Sequence, residues 1–473
     1  MNDDTLNIGG RRELFLDHHL IERLDRTSLR MGTPRREENV LDFDLPWEGR
    51  FVGSTNVLKD DDCYRLYYRC SGYGKDGAED VLAEQTAYAE STDGINWVKP
   101  ELNLHDFRGS TKNNLILPDG DERRISHNFV AFKDARPGVP DEERYKGVGG
   151  SHNEGLFRLV SEDGIHWRMF SEEPLFVGYA LDTVNVAMWS EHEQCYACYI
   201  RTWVDEREEG KVKFRGFRTI SRSTSTDFIN WTEPERMDFG DTPDEHIYTN
   251  GTHPYFRAPH IYIALPFRYM DDQNALTEAE MDAWNFNLDW QRHGASDAVL
   301  MSSRGGNHYD RTFMESFIRP GLDRGSWVCR SNCPAVGVVQ TSDTELSLYL
   351  QTHYMLPDYH LRRYSLRLDG FASVNAPFSG GEMLTKPMQF SGEKLTLNLS
   401  TSSAGSIRVE IQDEAGGPLK GYSLEDSDVV FGDEIAQVVT WKKKADVSAL
   451  AGQTVRLRFV MKDADLYALQ FTE

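Results

Sequence analysis

Cysteine is scarce, with six residues in 473, at positions 63, 70, 195, 198, 329 and 333. So few in a chain this long exclude a disulfide-dense scaffold, and free thiols are expected throughout. Basic charge is also in short supply: 52 lysines and arginines face 76 aspartates and glutamates, a formal net charge of −24. That balance speaks against nucleic-acid and anionic-membrane partners, which need a basic footprint. It suits neutral or cationic ligands, and an anionic one would need a local basic patch. No run of 18 apolar residues occurs, which excludes an ordinary transmembrane helix. The opening "MNDDTLNIGG" has no apolar core, so no signal peptide is read there, and the expected location is the cytoplasm unless an export signal lies outside this sequence. "CYAC" (195–198) has the spacing of a metal or redox pair. It lies in the strand-like run "CYACYIRTW", where alternation puts its two thiols on opposite faces and argues for buried structural thiols.

What is abundant is aromatic and repeated. The chain carries 24 Phe, 20 Tyr and 10 Trp, ample for sizeable cores. "STDGINW" (91–97), "SEDGIHW" (161–167) and "STDFINW" (225–231) share the chemistry of a tight turn between strands. Asp can bond back to the backbone two residues on, Gly permits positive φ, and Trp begins the next strand. Degenerate copies follow as "SSRGGNHYD" (302–310) and "SLRLDGFASV" (365–374), keeping a period near 70. A second signal runs in phase with the first. Asn56, Asn128, Asn185, Asn250 and Asn332 each enter an apolar strand, and an aromatic-rich strand follows each. The unit reads as strand A with Asn, strand B, strand C, turn and strand D.

Five such units predict an all-β fold, a five-bladed β-propeller over 1–378. Beyond it, "LTLNLS", "SIRVEIQD", "AQVVTW", "VRLRFVM" and "LYALQF" alternate cleanly and predict a β-sandwich over 379–473. The one helix expected is 276–290, opening on a Thr cap and lying between strands B and C of blade four as a lid or rim element.

In a four-stranded blade, strand A starts at the face where strand B ends and strand C begins. That face converges on the axis, where a funnel would form. Near strand A starts lie Glu48, His127, Asp182, Glu245, His246 and Arg330. Strand B ends bring Arg69, His152, Glu154, Arg201, Trp203, Arg268 and His353, while Asp297 opens strand C of blade four and Glu315 follows its strand D. Singly, each has an ordinary structural use, and the five Asn residues are expected to tie strand A to neighbouring backbone. Together they put arginines, histidines, a tryptophan and carboxylates at one end of one axis.

The propeller period, the turn motif and the trailing sandwich resemble the glycoside hydrolases of families 32, 43, 68 and 117, closest in layout to family 32 and its family-32-like branch. The turn is also similar to the Asp box of sialidases, one residue shorter. Where family 32 carries its nucleophile motif, this chain has "PWEGRFVGSTN" with Glu48. "RRISHNF" with His127 and "ALDTVN" with Asp182 stand where the other two acidic motifs would fall. The resemblance implies a glycosidase acting on an oligo- or polysaccharide. Such chemistry pairs a protonated carboxyl with an ionised one. Asp182 is read as base or nucleophile, Glu245 as acid and Asp297 as the residue that orients the sugar or stabilises charge, with Glu48 in reserve. Arg69, Arg201 and Arg268 point to an anionic sugar through two-donor forks, and Trp203 to stacking on a sugar face. No cofactor is implied, though the axis leaves room for a structural ion. A glycan-binding propeller would keep Trp203 and the arginines without paired carboxylates, and a glycoside phosphorylase would use the arginines for phosphate.

Overall fold

The computed structural model describes residues 5–61, 63–73, 81–118, 120, 122–204 and 216–473. The chain divides into two compact units, residues 34–365 and residues 1–33 with 366–473.

Among the described residues, the strands of the 34–365 unit form five blades around one axis. Blade one is Gly53–Asp60, Cys63–Tyr73, Val81–Ser91 and Leu115–Leu117; blade two is Val130–Lys133, Tyr145–Ser151, Gly155–Ser161 and Arg168–Met169. Blade three is Val186–Ser190, Cys195–Trp203, Arg218–Ser225 and Glu235–Arg236. Blade four is split: His253–Tyr255, Ala258–Ala264 and Met301–Ser303 pair in one ladder, and Phe267–Met270 pairs with Ala295–Ala298 in another. Blade five comprises Cys333–Pro334, Val339–Gln340, Glu345–Thr352, His360–Arg367 and, as its outer strand, Arg35–Asp42. Inner strands of blades one and five meet in parallel at Asn56 and Val336, which closes the ring.

The three strong turn copies are built alike. Asp93 Oδ1 accepts the amides of Ile95 (2.8 Å) and Asn96 (2.7 Å), and Trp97 Nε1 donates to the Gly94 carbonyl at 3.2 Å. Asp163 and Asp227 repeat these bonds. The residue needing positive φ is Gly94 (73°), Gly164 (76°) and, in the third copy, Phe228 (66°). Phe228 is buried against Tyr196 and Trp231. Packing there offsets a backbone conformation that a bulky residue ordinarily avoids. The run "YKGVGG" is explained by crowding: a Cβ on Gly149 would sit 2.1 Å from the Ile125 carbonyl oxygen.

Four of the five axial asparagines act as backbone ties, whereas Asn128 departs from expectation and turns its Oδ1 to the Arg69 guanidinium and the Ser54 hydroxyl. Asn56 Oδ1 accepts the Ala131 amide at 2.9 Å, Asn185 Nδ2 donates to the Leu181 carbonyl at 2.8 Å, and Asn332 Nδ2 donates to the Ser326 carbonyl at 2.7 Å. Asn250 reaches the Val184 and Tyr199 carbonyls at 3.4 Å.

Three boundaries differ from expectation. The fifth turn copy does not lead to a fifth outer strand. After His360–Arg367 the chain turns, and Ala372–Ala376 pairs with Ser28–Met31 and Arg456–Thr472 of the other unit. Arg35–Asp42 takes the vacant edge instead, so the division falls at 33/34 and 365/366 in place of 378/379. The expected helix 276–290 is a short one, Glu278–Ala283, with a Thr277–Glu280 capping box. Asn285, at φ 56°, stops it, and a separate 3-10 turn follows at Asp289–Gln291.

The second unit holds an eight-stranded sheet and the pair Leu6–Gly9 with Met388–Phe390. Two long strands, Lys394–Gln412 and Arg456–Thr472, replace four expected short ones, and their register shifts at Asn398/Leu399 and Thr401/Ser406. They share one core containing Leu397, Val409, Leu457, Phe459 and Trp441. All six cysteines of the chain are free thiols, with Cys198 buried and Cys195 half-buried. No helix among the described residues is long and apolar enough to cross a membrane.

Candidate functional site

The register of the blades gathers cationic and aromatic side chains where the inner strands begin. Arg69 stands opposite Gly53, and Trp203 opposite Arg218. Arg201 ends strand B of blade three, while Tyr248 and Arg330 each lie two residues before an axial Asn. Arg330 holds a left-handed backbone at φ 63°. A non-glycine residue kept there marks backbone that its surroundings over-determine.

Tyr248 is the centre of this group. It is half-buried, stacks on Phe267 (4.7 Å between centroids, 21°) and meets the edge of Tyr269. The guanidinium carbons of Arg218, Arg201 and Arg330 lie 5.0, 5.2 and 5.6 Å from its ring centroid. Arg218 also covers Trp203 at 4.5 Å, and Arg330 covers Trp290 at 4.5 Å.

Anions to balance these cations are few. Asp182, with a side chain 37% exposed, bonds Arg201 through Oδ1 and lies 3.9 Å from His152 Nδ1 through Oδ2. Arg201 is buried, which brings its guanidinium pKa down to about 10 against the opposing phenol of Tyr248. Among the described residues no carboxylate pairs with Arg218 or Arg330, and the buried Nε of each lacks a hydrogen-bond partner. Unbalanced buried charge is costly, so two such guanidinium groups side by side are the chemistry of an anion site.

Beside them lies a second cluster. Arg69 donates to Asn128 Oδ1 at 2.8 Å and approaches Glu84 at 4.0 Å. Glu84 takes the Arg124 guanidinium and His127 Nδ1, both at 2.6 Å. Burial pushes the Glu84 carboxyl up, but His127 and the arginines outweigh it and hold the group far below the usual carboxylate range. His127 is lowered, chiefly by burial, and its Nε2 is buried without a partner.

Other expected residues are spent within the protein. Arg268 forks onto Asp297 (3.0 and 2.7 Å) and bonds Glu245 at 2.7 Å. Arg311 takes the other oxygen of Glu245. Neither carboxylate has an oxygen free of a guanidinium donor, and Arg268 is not available for an anionic sugar. Glu48 is fully buried on Lys99 (2.7 Å) and Tyr68 (2.8 Å), with burial raising its pKa; it is an interior ion pair. His353 is held between Asp323 (2.9 Å) and Asp358 (2.7 Å). Glu154 bonds Ser151 in its own turn, and Glu315 is exposed. His246 accepts the Arg218 amide at 3.1 Å and touches the edge of Trp203.

The structure therefore brings together Asp182, Arg201, His152, Trp203, His246, Arg69 and His127 from the expected set. Sequence reasoning missed Glu84, Arg218 and Tyr248 as members and left Arg330 without a role. The only signal for Tyr248 was its place two residues ahead of Asn250. A cavity of about 800 Å³ lies elsewhere, lined by the far parts of the inner strands, including Val57, Val130, Met188 and Val338. Its lining has none of the charged groups gathered around Tyr248. Among the described residues no group of three or more His, Cys, Asp or Glu side chains could hold a metal ion.

No family model matches the chain, and no curated protein does. Solved structures similar to it include an N-acetylgalactosamine deacetylase from F. plautii in complex with blood group B trisaccharide, at 12% identity and TM-score 0.46, covering 73% of this chain and 97% of that one. Another is a β-1,2-mannobiose phosphorylase from Listeria innocua, at 12% identity and TM-score 0.44, covering 72% and 97%. A third is the catalytic domain of a GH62 α-L-arabinofuranosidase from Coprinopsis cinerea, at 9% identity and TM-score 0.42, covering 71% and 97%.

Proposed function

We propose that the 34–365 unit is a carbohydrate-active enzyme that cleaves a glycoside bearing an anionic group, a carboxylate or sulfate. The observation that carries this reading is the pair of guanidinium groups, Arg218 and Arg330, without a carboxylate partner among the described residues of a chain of net charge −24. A bound anion supplies the missing charge, and Arg forks give it two-point geometry. Trp203 and Trp290 each carry one of these guanidinium groups over the ring, which leaves the opposite face of each for a sugar. Asp182, held by Arg201 and 37% exposed, takes the role of base toward water. Glu245 and Asp297 hold Arg268 in place. Kinship with family 32 belongs to this proposal and rests on the turn motif and blade period.

The arginines equally suit inorganic phosphate as a co-substrate, which keeps a glycoside phosphorylase as the second reading. A screen of aryl glycosides and acidic oligosaccharides, each run with and without phosphate, decides between them. Turnover of uronosyl or sulfated substrates without phosphate supports the hydrolase. Turnover only with phosphate supports the phosphorylase. Binding of acidic glycans without turnover would make the unit a glycan-binding propeller.

A further inference from the structure

We propose that Tyr248 is the proton donor of this reaction, passing its phenolic hydrogen to the oxygen of the departing sugar while Arg201, Arg218 and Arg330 stabilise the phenolate left behind. This rests on the reading of the unit as a glycoside-cleaving enzyme with Asp182 as base.

Glycoside cleavage needs an acid as well as a base. Three carboxyl groups near the inner-strand starts, Glu245, Asp297 and Glu84, are held by cations of the protein. Glu245 gives one oxygen to Arg268 and the other to Arg311, and Asp297 gives both to Arg268. Glu84 is pinned between His127 and Arg124. Tyr248 is half-buried and placed one blade from Asp182. The two are tied together: Thr183 Oγ1, next to Asp182, donates to the Tyr248 carbonyl at 3.0 Å, and Arg201 bonds Asp182 while lying 5.2 Å from the Tyr248 ring.

The groups facing the phenol are three guanidinium groups, Arg201 and Arg218 from blade three and Arg330 from the approach to blade five. Arg69, the Cys329 thiol and the phenols of Tyr269 and Tyr354 also lie around it. Burial raises the Tyr248 pKa, but the three guanidinium groups outweigh it and leave it below the ordinary tyrosine value. A phenol so placed gives up its proton more readily than a free one.

The Tyr248 proton moves to the glycosidic oxygen, and the bond from that oxygen to the anomeric carbon breaks, its electron pair staying on the oxygen. Water attacks the anomeric carbon as Asp182 takes its proton. Solvent then returns that proton from Asp182 to the phenolate.

Two measurements test this. Ultraviolet titration of the full chain should show a phenol ionising below the ordinary value of about 10, absent from Tyr248→Phe; coincident titrations would overturn the proposal. Kinetically, Tyr248→Phe keeps the ring packing on Phe267. It should lose on the order of 10²-fold or more on a uronosyl disaccharide, yet little on the matching dinitrophenyl uronoside, whose leaving group needs no proton. Asp182→Asn should lose on both. Equal loss by Tyr248→Phe on both substrates overturns the proton-donor role alone, whereas a wild-type protein that cleaves neither overturns the enzyme reading and this proposal with it.

Discussion

Arg330 and Arg268 are both arginines beside an inner strand, yet their surroundings give them opposite meanings. Arg268 is neutralised by Asp297 and Glu245, whereas Arg330 lies over the rings of Tyr248 and Trp290 with no carboxylate partner among the described residues. Uncompensated, half-buried charge costs stability that ligand binding recovers. Arg330→Met is therefore expected to raise the melting temperature of the ligand-free protein by a few degrees, roughly the effect of 1 kcal/mol. The same change should abolish the protection that added sulfate or glucuronate gives the wild type. A thermal-shift series in both anions checks it, and retained protection would place the anion elsewhere. Asp182→Asn removes the base while keeping the shape, so turnover should fall on the order of 10²-fold or more with the fold intact. A variant that melts early at unchanged turnover would make Asp182 only the ion-pair partner of Arg201.

At the scale of the element, the three turns make stability depend on acid. Burial pushes the carboxyls of Asp93 and Asp163 upward, but amide and side-chain donors outweigh it; at Asp227 the Asn230 amide leads. All three lie below their ordinary value in the folded state. Their contribution is thus present above the unfolded carboxylate pKa of about 3.9 and is lost as pH falls through the lowered folded values. Melting temperatures taken from pH 5 downward should fall less steeply when all three are changed to Asn; parallel curves would show that the turns do not set acid stability. Gly149→Val tests the crowded strand of blade two, where overpacking against Ile125 should cost on the order of 1–3 kcal/mol in denaturant unfolding.

For the whole molecule, the N-terminal segment serves both units. Arg35–Asp42 is the outer strand of blade five, held by Arg363 to Glu38 (3.2 Å) and Arg35 to Glu345 (3.2 Å), with Leu41 buried in the propeller core. Leu6–Gly9, Ile21–Asp25 and Ser28–Met31 pair within the other unit. Removing residues 1–42 should leave neither unit with a cooperative unfolding transition in calorimetry. An unchanged transition for either would show that its N-terminal strands are dispensable.

The sequence by itself determined the all-β class, the blade number, the turn chemistry and four of the five asparagine ties, because each depends on local hydrogen bonding repeated at one period. A Ser, an Asp and a Trp within seven residues form their turn wherever the chain goes. Tertiary structure alone decided which residues share the candidate site. The outer strand of blade five comes from more than 300 residues away, and no local pattern announces a pairing so distant. Glu245 and Asp297 looked available in sequence because Arg268 reaches both from a neighbouring strand and Arg311 reaches Glu245 from a distant loop, and Tyr248 looked ordinary because its three arginines arrive from 47, 30 and 82 residues away. Charge neutralisation is a property of distances across blades. That is why the same residue types read alike along the chain and differ once folded.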